Sequence, residues 1–522
     1  MPALRSFNFF NNTGGLNLRH TDTQLVDTDA EEVENLHATS NGSWTTQDIG
    51  YTQINATALA FGSPSGNTVQ GMISFTTEGG QTHWVVVAGG KFYTVSAGNG
   101  TAVERPLPIA WDTTAPVTFA TFLGQLILFN GINVPMVWDG VSAIAPLAGW
   151  PAIIVGVTVG NPTFGAVYAN RLAVAGDVNN PSTVYLSELE NPENFTPSVG
   201  PSSPGAILVG PGDGEKITAL HTLYLPLTNE EVLVVFKDRS TYVMTGSDAD
   251  TFTLQKISGE FGAVGPRSVV QVGSELMFLS QEGITSLSTA TADGNLTTRM
   301  LSRNIQPQIN TLNRNALATS WTIHLRDRNE VWWAVPDGGS TQNQRILVMN
   351  YDNGLKWSRR SGVIAACGCV FQGQLFTGTY NGVLHRQCSG SSYNGAPISW
   401  TYRTPFYELG SPRQRKRIRD IELYLRQQSA LSLTVKTAWD SRRSAASQET
   451  TTLTSTPDAE SALFGLALFN ADKYGLAGLS RVRLIPNGSG RSVQLELSGT
   501  AINQPIELQG WSITALTMQG FT

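Results

Sequence analysis

One stretch of the sequence, residues 210–216 with the order Gly-Pro-Gly-Asp-Gly-Glu-Lys, has the residue types of a phosphate-binding loop. A loop of that kind needs Gly-x-x-x-x-Gly-Lys-Ser/Thr at the start of a helix, because backbone N–H groups and the helix dipole must meet the phosphates. Here Glu215 separates the last glycine from Lys216 and would repel a phosphate, and a β-rich run follows. We therefore predict a structural loop.

The strongest cluster of charge is basic and consists of Arg413, Arg415, Lys416, Arg417 and Arg419. Such a cluster can contact phosphate or DNA. It can also lie at a subunit interface or along an exposed strand edge, where charge blocks unwanted strand pairing. No aromatic side chains are interleaved with these cations, so we favour the interface or the edge. The five residues are the candidate assembly or DNA-facing site.

Residues that carry common catalytic or metal chemistry are scattered along the chain. The histidines lack the His-x-x-x-His spacing of a metal site, no Gly-x-Ser-x-Gly hydrolase motif occurs, and no carboxylate pair stands out for glycoside cleavage. We therefore expect no catalytic, cofactor-binding or metal residues and no enzyme activity. Three cysteines without C-x-x-C spacing are expected to be buried or half-buried free thiols. The residues concerned are His20, His37, His83, His221, His324, His385, Cys367, Cys369 and Cys388.

Charged residues make up only 14 % of the chain, against roughly 25 % in an ordinary soluble domain. Two explanations stay open: much of the exterior packs against neighbouring subunits, or the chain is an ordinary Thr- and Gly-rich β-protein. The net charge of −6 excludes a global basic footprint for nucleic acid. No run approaches the about 18 apolar residues of a membrane span, and the first residues lack the apolar core of a signal peptide. We expect neither.

Short alternating β-runs joined by tight turns dominate the sequence. Gly-Gly and Asn-Gly turns are typical of hairpins, because these residues tolerate positive φ. The returning strands begin roughly every 50 residues, which is the period of propeller blades. The paired runs are 84–87 with 92–95, 126–129 with 136–138, 232–236 with 241–244, 276–279 with 284–287, and 375–377 with 383–385. The sequence predicts an all-β protein with a β-propeller of six to eight blades over residues 51–394; unrelated β-sandwiches are the alternative.

The two ends of the chain lack this period. Residues 1–50 are predicted to form an N-terminal arm with one short helix over 28–36, where Thr28 and Glu31 have the spacing of a capping box. Alternating strands after about residue 395 predict a C-terminal β-sandwich or jelly-roll domain over 395–522. Within it, the Ser/Thr-rich residues 441–459 are predicted to be an exposed loop.

One turn resembles the Asp-box of propeller glycosidases. Asp352, Gly354 and Trp357 have the spacing of its Asp, Gly and Trp, whereas Asn350 and Lys356 depart from its first and seventh positions. In that role the aspartate caps the hairpin turn, the glycine supplies positive φ and the tryptophan anchors the turn on the blade. The motif supports a propeller and does not indicate catalysis.

Several short segments of the chain stand in an order that resembles a known family, and the resemblance extends from residue 14 to beyond residue 500. The segments are 14–17 with Leu25, Asp27, Ala30 and Asn35; 170–176, 180–181, 184–187 and 191–192; 235–243; 265–270; 334–336 with Trp357; and 410–412, 415–417 and 423–425. In this order they resemble the tail-nozzle (tail-tube stabilisation, or tail hub) proteins of short-tailed bacteriophages.

The resemblance implies a virion structural protein of the phage tail. Members of that family form a ring, usually hexameric, below the portal and adaptor proteins of the head-to-tail connector. The ring extends the tail tube, often holds a fibre or needle, and passes genomic DNA through its lumen without sequence-specific binding. A net-acidic chain suits that task, because a basic lumen would retain DNA. The alternative function is a propeller glycosidase or a glycan-binding receptor protein of a phage tail.

Overall fold

A computed structural model describes residues 4–10, 12–20, 24–60, 66–150, 157–225, 229–289, 296–352, 354–427, 431–443, 448–455, 479–502 and 505–518. Helix is confined in these ranges to one short α-helix, α1 (Gln306–Ile309), and to 3₁₀ segments at Pro266–Ser268, Ser302–Ile305, Arg314–Thr319 and Arg326–Arg328. No helix in the described parts of the chain has the length and apolar character needed to cross a bilayer.

The N-terminal arm and the first residues after it form a series of short strands that join other parts of the molecule. They are β1 (Leu4–Phe9), β2 (Gly15–Leu16), β3 (Asp29–Ala30), β4 (Glu32–Glu34), β5 (His37–Ala38), β6 (Trp44–Thr45) and β7 (Tyr51–Gln53). The helix predicted over residues 28–36 is therefore wrong, since β3 and β4 occupy it. A helix this short is marginal by itself, and strand pairing on both sides of β4 outweighs the capping box.

Blades 1 to 4 of a propeller follow, each a meander of four antiparallel strands. Blade 1 is β8 (Val69–Thr76), β9 (Thr82–Ala88), β10 (Lys91–Val95) and β11 (Ala102–Arg105), and blade 2 is β12 (Thr118–Phe122), β13 (Gln125–Phe129), β14 (Met136–Trp138) and β15 (Ala145–Pro146). Blade 3 is β16 (Phe164–Tyr168), β17 (Arg171–Ala175), β18 (Thr183–Leu186) and β19 (Gly205–Leu208), and blade 4 is β20 (Ile217–Leu225), β21 (Glu230–Lys237), β22 (Thr241–Thr245) and β23 (Thr253–Ser258).

Three more blades close the ring. Blade 5 is β24 (Val269–Val272), β25 (Glu275–Leu279), β26 (Ile284–Thr289) and β27 (Leu296–Met300), and blade 6 is β28 (Trp321–Leu325), β29 (Glu330–Val335), β30 (Arg345–Asn350) and β31 (Lys356–Arg360). Blade 7 takes β32 (Cys367–Phe371), β33 (Gln374–Gly378) and β34 (Leu384–Gln387) from late in the sequence, and its outer strand is β7, at the start of the predicted propeller range. The described residues thus form a propeller of seven blades, which confirms the fold prediction.

The innermost strands of the blades, β8, β12, β16, β20, β24, β28 and β32, contact one another in a closed circle around the propeller axis. Where neighbouring innermost strands approach each other most closely, one of them needs a residue with a small side chain. Gly368 in β32 faces the Trp321 ring of blade 6, and a Cβ atom added at Gly368 would lie 2.7 Å from that ring. The Trp321 indole is buried and its N–H donates to the Ala365 carbonyl at 3.0 Å, so the ring has little freedom to move away.

The C-terminal domain is a β-sandwich, as predicted. Its strands are β35 (Ile398–Arg403), β36 (Lys416–Gln427), β37 (Leu431–Trp439), β38 (Gln448–Ser455), β39 (Leu479–Leu484), β40 (Ser489–Gly490), β41 (Val493–Ala501) and β42 (Ile506–Thr517). One sheet has the order β39-β36-β42-β6-β5, with β1 also paired to β42, and the other contains β35-β41-β37-β38.

The loop predicted over residues 441–459 is wrong in part. Residues 448–455 form β38, which pairs along its length with β37. Four of these eight residues are threonine, a β-branched residue that favours strands when a partner strand is available. Residues 444–447 and 456–459 lie outside the described part of the chain.

Strand β4 connects the propeller to the sandwich. It pairs in parallel with β31 of blade 6 and antiparallel with β35, so that one sheet of nine strands runs from blade 6 into the sandwich. The buried core follows the same path, because a single hydrophobic cluster contains Trp357 of blade 6, Val33 of β4, and Leu423 and Leu495 of the sandwich. The two domains therefore share both a sheet and a core.

A row of ion pairs crosses this sheet at the same place. Glu34 of β4 pairs with Arg345 of β30 and Arg359 of β31, and Glu32 of β4 pairs with Arg403 of β35 at 2.7 Å. Arg403 also reaches Glu496 of β41 at 2.6 Å, and Lys436 of β37 pairs with the same carboxylate at 2.8 Å. Carboxylates from two strands thus bridge cations from four strands. We call these seven residues the charge row.

Replacing Gly368 with alanine tests the packing around the axis. We expect Gly368→Ala to lower the free energy of unfolding by about 1–3 kcal/mol, because the new methyl group overpacks against Trp321. The matched control is Gly205→Ala in the outer strand of blade 3, where nothing lies within 4 Å of an added Cβ atom; that variant should be neutral or more stable by up to about 1 kcal/mol. Urea unfolding followed by tryptophan fluorescence measures both, and equal effects would contradict the packing account.

The charge row predicts a pH dependence. Burial alone would raise the pKa of the Glu496 carboxyl, but the charged donors Lys436 and Arg403 outweigh it and hold the pKa below its usual range. A lowered folded-state pKa stabilises the fold above the unfolded-state pKa, and this stabilisation is lost as the pH falls through the folded-state value. The difference in unfolding free energy between the wild type and Glu496→Gln should therefore shrink from about pH 5 to pH 3. Parallel stability curves for the wild type and Glu496→Gln over this pH range would refute the prediction.

Candidate functional site

The predicted basic cluster lies where the chain enters β36, the long central strand of the first sandwich sheet. Arg413, Arg415, Arg417 and Arg419 are exposed, whereas Lys416 is buried with a relative exposure of 2 %. Arg417 and Arg419 are two residues apart in the strand and therefore face the same, outward side. A register shift between Ile418 and Asp420 then moves the outward side to Glu422 and Tyr424. The cluster is therefore four surface cations and one buried cation.

Lys416 has a structural role. Its ammonium group donates to the backbone carbonyls of Glu408, Ser411 and Arg491, the last at 2.8 Å. These carbonyls come from one loop and one turn, and the three N–H donors of a lysine match them in number. Burial lowers the pKa of Lys416. The residue fastens the loop 408–411 and the 489–491 turn to the start of β36.

The four arginines lie on a surface that is basic overall. Arg415 donates to the carbonyl and hydroxyl oxygens of Ser489 at 3.0 and 3.1 Å, which directs it along β40. Arg481 and Arg483 of the adjacent β39 are also exposed, and Arg483 pairs with Asp420 at 2.6 Å. This surface, which we call the arginine face, can contact an acidic protein surface or a phosphate backbone.

An acidic counterpart lies on the propeller, on blades 3 and 4. Glu230 and Glu231 at the start of β21 are exposed. Burial, together with the negative charges of Glu231 and Glu230 nearby, raises the pKa of Tyr168 in blade 3 to about 12. Asp248 and Glu188 lie close enough to the buried Arg171 to act on its charge. We call Glu188, Glu230, Glu231 and Asp248 the acidic patch.

The propeller axis is a channel lined by all seven innermost strands, with a volume of about 410 Å³. Its walls are mainly small or apolar, such as Gly71, Ala166 and Gly368, with Thr118, His221 and Thr322 as polar members. No carboxylate is found among the described residues that line it, so the channel does not present the carboxylate pair of a glycosidase.

Arg267 crosses one end of this channel. It lies in the 3₁₀ turn just before β24, at the end where the innermost strands begin, which we call the entry end. From blade 5 its guanidinium donates to the Gln70 carbonyl of blade 1 at 3.1 Å and to the Thr319 carbonyl before blade 6 at 3.2 Å. Sequence reasoning did not select Arg267, because a single arginine after Gly-Pro carries no functional signal.

The loop 210–216 is structural, as predicted. The Lys237 ammonium of blade 4, fully buried, pairs with the Asp213 carboxylate at 2.6 Å and donates to the Val209 carbonyl at 2.9 Å. Glu215 accepts from the Ser240 hydroxyl at 2.7 Å. The acidic residues that spoil the phosphate motif therefore hold the loop against its own blade.

The Asp-box-like turn is formed by different atoms from those expected. Gly354 has a positive φ of 106° and Trp357 is buried, as the motif requires. Asn350 takes the capping role, because its side-chain oxygen accepts from the Asp352 N–H at 3.0 Å and its amide donates to the Arg328 carbonyl at 3.2 Å. Asn353, within the motif, lies outside the described residues.

The remaining candidates for chemistry lie apart. Within the described ranges, no three His, Cys, Asp or Glu residues come close enough to hold a metal ion. Cys367 and Cys369 are buried free thiols and Cys388 is half-buried, as expected. Burial raises the pKa of Cys367 to about 12, so its reactive thiolate form is suppressed near neutral pH.

Comparisons with known proteins bear on the fold. The chain matches no protein-family model, and no curated protein matches it. A streptogramin B lyase is 13 % identical with a TM-score of 0.42, over 64 % of this chain and 96 % of its own. BamB from Moraxella catarrhalis is 12 % identical with a TM-score of 0.37, over 67 % and 90 % of the two chains. The Dos1 propeller is 10 % identical with a TM-score of 0.41, over 66 % and 97 %. Similarity this distant concerns the fold alone.

Because one cation of the basic cluster is buried and four are exposed, substitutions at two neighbouring positions should change the free energy of unfolding by very different amounts. Lys416→Met leaves three carbonyls without their donor and should lower the free energy of unfolding by about 2 kcal/mol or more. Arg417→Ala removes an exposed side chain and should change it by less than about 0.5 kcal/mol. Chemical denaturation of both variants measures the difference, and a Lys416→Met protein as stable as Arg417→Ala would contradict the buried role.

Proposed function

We propose that this protein is a virion structural subunit of the tail nozzle of a short-tailed bacteriophage, and that it acts as a ring. In this role copies of the chain extend the tail tube below the portal and adaptor proteins, support a fibre or needle, and surround the DNA that leaves the head. The protein contributes shape and surface charge rather than a reaction.

The observation that carries the proposal is that residues behind the family resemblance, distant in sequence, lie in one contact cluster. The Asn17 backbone N–H donates to the Ala30 carbonyl at 2.8 Å, and Leu16 of β2 pairs with Ala30 of β3. Gly15 has a φ of +72°, and a Cβ atom added there would lie 2.8 Å from the Trp357 backbone. Segments of low complexity that meet in this way support the resemblance as a structural one.

Asn35 extends this cluster into the sandwich. Its backbone N–H donates to the Arg359 carbonyl at 2.8 Å, and its side-chain amide donates to the Ser399 carbonyl at 2.7 Å. The arm therefore fixes blade 6 and β35 at the same point. A subunit that must keep its shape while DNA passes under pressure benefits from such a junction.

The dimensions of the propeller support a ring of several copies. The axial channel holds about 410 Å³ and Arg267 crosses its entry end. A DNA duplex, whose major groove alone is about 12 Å wide, does not fit. The lumen of a nozzle must then lie between copies of the chain.

The charges of the two domains suggest how copies meet. The arginine face lies on the sandwich and the acidic patch lies on blades 3 and 4, so the two belong to different surfaces of one chain. Contact between such unlike surfaces on neighbouring copies is head-to-tail, and head-to-tail contacts produce rings when the rotation closes. Opposite charges also speed the association of copies.

Native mass spectrometry and negative-stain microscopy test the ring. We expect the purified chain to form rings of one defined copy number under assembly conditions, and Arg417→Glu with Arg419→Glu to leave it monomeric but folded. Mixing that variant with Glu230→Lys and Glu231→Lys should restore mixed assemblies, because the charges are exchanged. The control is Arg299→Glu on the exposed outer strand of blade 5, which should still form rings.

Two results would overturn parts of this account. A wild-type chain that stays monomeric under assembly conditions, and is absent from purified virions, would refute the nozzle. Rings that form normally with Arg417→Glu and Arg419→Glu would refute the arginine-face contact alone. Cleavage or tight binding of bacterial surface polysaccharide by the isolated chain would favour the glycosidase or glycan-binding alternative.

A further inference from the structure

We propose that the entry end of the propeller axis is a binding site for a small organic anion, a carboxylate or phosphate group attached to an apolar body. The site combines the guanidinium of Arg267 with a neighbouring cavity of about 580 Å³ on blades 2 to 6. The nozzle role does not require this site, and the two proposals stand or fall separately.

Arg267 carries a charge that the protein does not neutralise. Among the described residues it forms no ion pair, and its hydrogen bonds to Gln70 and Thr319 are to neutral carbonyls. A guanidinium has five N–H donors, so three of them are left for another partner. Arginine presents these donors in a flat fork that matches the two oxygens of a carboxylate or phosphate.

The cavity beside Arg267 is a pocket of the size that holds small ligands, for which about 300–1,000 Å³ is usual. It shares Thr118, Phe164, Pro266 and Arg267 with the axial channel, so it opens directly onto the axis. Much of its wall is apolar, which suits an apolar body behind the anionic group. The apolar side chains are Pro116, Phe164, Val178, Pro181, Ile217, Val264, Pro266 and Ala318.

Thr218 gives an independent indication that the cavity can hold a polar ligand atom. It lines the cavity from the start of β20 with a relative exposure of 5 %, and its hydroxyl finds no hydrogen-bond partner in the described structure. An unpaired buried hydroxyl costs free energy. The hydroxyl oxygen is covered in this conformation. A rotation of the Thr218 side chain toward the cavity would let a ligand oxygen held by Arg267 accept the hydroxyl hydrogen and remove the cost.

The other charges around the cavity favour an anion. Lys216 lies exposed at its rim. Asp177 is the one carboxylate among the described lining residues, and both of its oxygens are occupied. One accepts from the backbone N–H groups of Gly160 and Asn179, and the other from the Asn180 amide and the Tyr185 hydroxyl. Asp177 keeps its negative charge but uses its hydrogen-bonding capacity within its own blade. The cavity wall therefore has two cations, Lys216 and Arg267, against one carboxylate.

Calorimetric titration of the full chain with benzoate, benzamide and phenyl phosphate tests the site. Benzoate and benzamide have nearly the same shape, so binding of benzoate without benzamide shows that the anionic group is recognised. Binding of phenyl phosphate in place of benzoate would identify phosphate as the favoured group, which also supports the proposal. Equal binding of benzoate and benzamide, or no binding of either anion, would overturn it.

Variants assign the binding to these residues. Arg267→Gln should weaken anion binding at least tenfold, and Thr218→Val, which keeps the side-chain shape, should weaken it about threefold to tenfold. The control is Arg326→Gln, an exposed arginine just after the innermost strand of blade 6, which should bind as the wild type does. Since Arg267 also bridges blades, Thr218→Val and Lys216→Gln keep the test valid if Arg267→Gln does not fold. Unchanged affinity in every folded variant at these three positions would refute the assignment.

Discussion

The rest of the structure depends on one three-residue strand, β4, which has a partner strand on each side. Residues two apart in a strand face the same side of the sheet, so Glu32 and Glu34 both face the arginines of the charge row. There they separate Arg345 and Arg359 of the propeller from Arg403 of the sandwich. Without these carboxylates the three half-buried cations would lie side by side, and an uncompensated buried charge is strongly destabilising. The junction between the domains is thus electrostatic as well as apolar.

The same short segment also sets the order in which the fold can be completed. Residues 32–53 supply β4, which needs β31 and β35, and β7, which completes blade 7 beside β34. Each partner lies more than 300 residues further along the chain. Pairings so distant in sequence require large loops to close first, which slows folding. The propeller closes only when β7, near the N-terminus, pairs with β34, which is synthesised much later.

Much of the fold could be predicted from the sequence, because each blade is a local object. The hairpins of blades 1, 2, 4, 5 and 7 have alternating strands and turn residues within about 20 positions, and the blades follow in order. The helix over residues 28–36 was wrong because its Glu residues pair with distant cations, and those partners leave no local signal. The Ser/Thr-rich loop was wrong at β38 for a related reason: a threonine run becomes a strand when β37 is beside it.

The candidate sites show the same limit. Proximity in sequence grouped Lys416 with four arginines, although its buried ammonium serves three carbonyls while they face outward. Arg267 lies in a segment of the family resemblance, but nothing in the sequence marked it as a site residue, because its position on the axis arises only when seven blades close around it. A charge pattern in sequence therefore locates a surface, whereas the role of each cation depends on tertiary contacts.

The position of the two charged surfaces gives the junction a further consequence. The arginine face belongs to the sandwich and the acidic patch to blades 3 and 4, so their relative angle is set by the sheet and core that pass through β4. In a head-to-tail assembly that angle fixes the rotation from one copy to the next, and the rotation decides between a closed ring and an open filament. A loosely linked pair of domains would allow many rotations and many assemblies. In such an assembly, the charge row and the shared core would be the elements that hold the angle between the two surfaces.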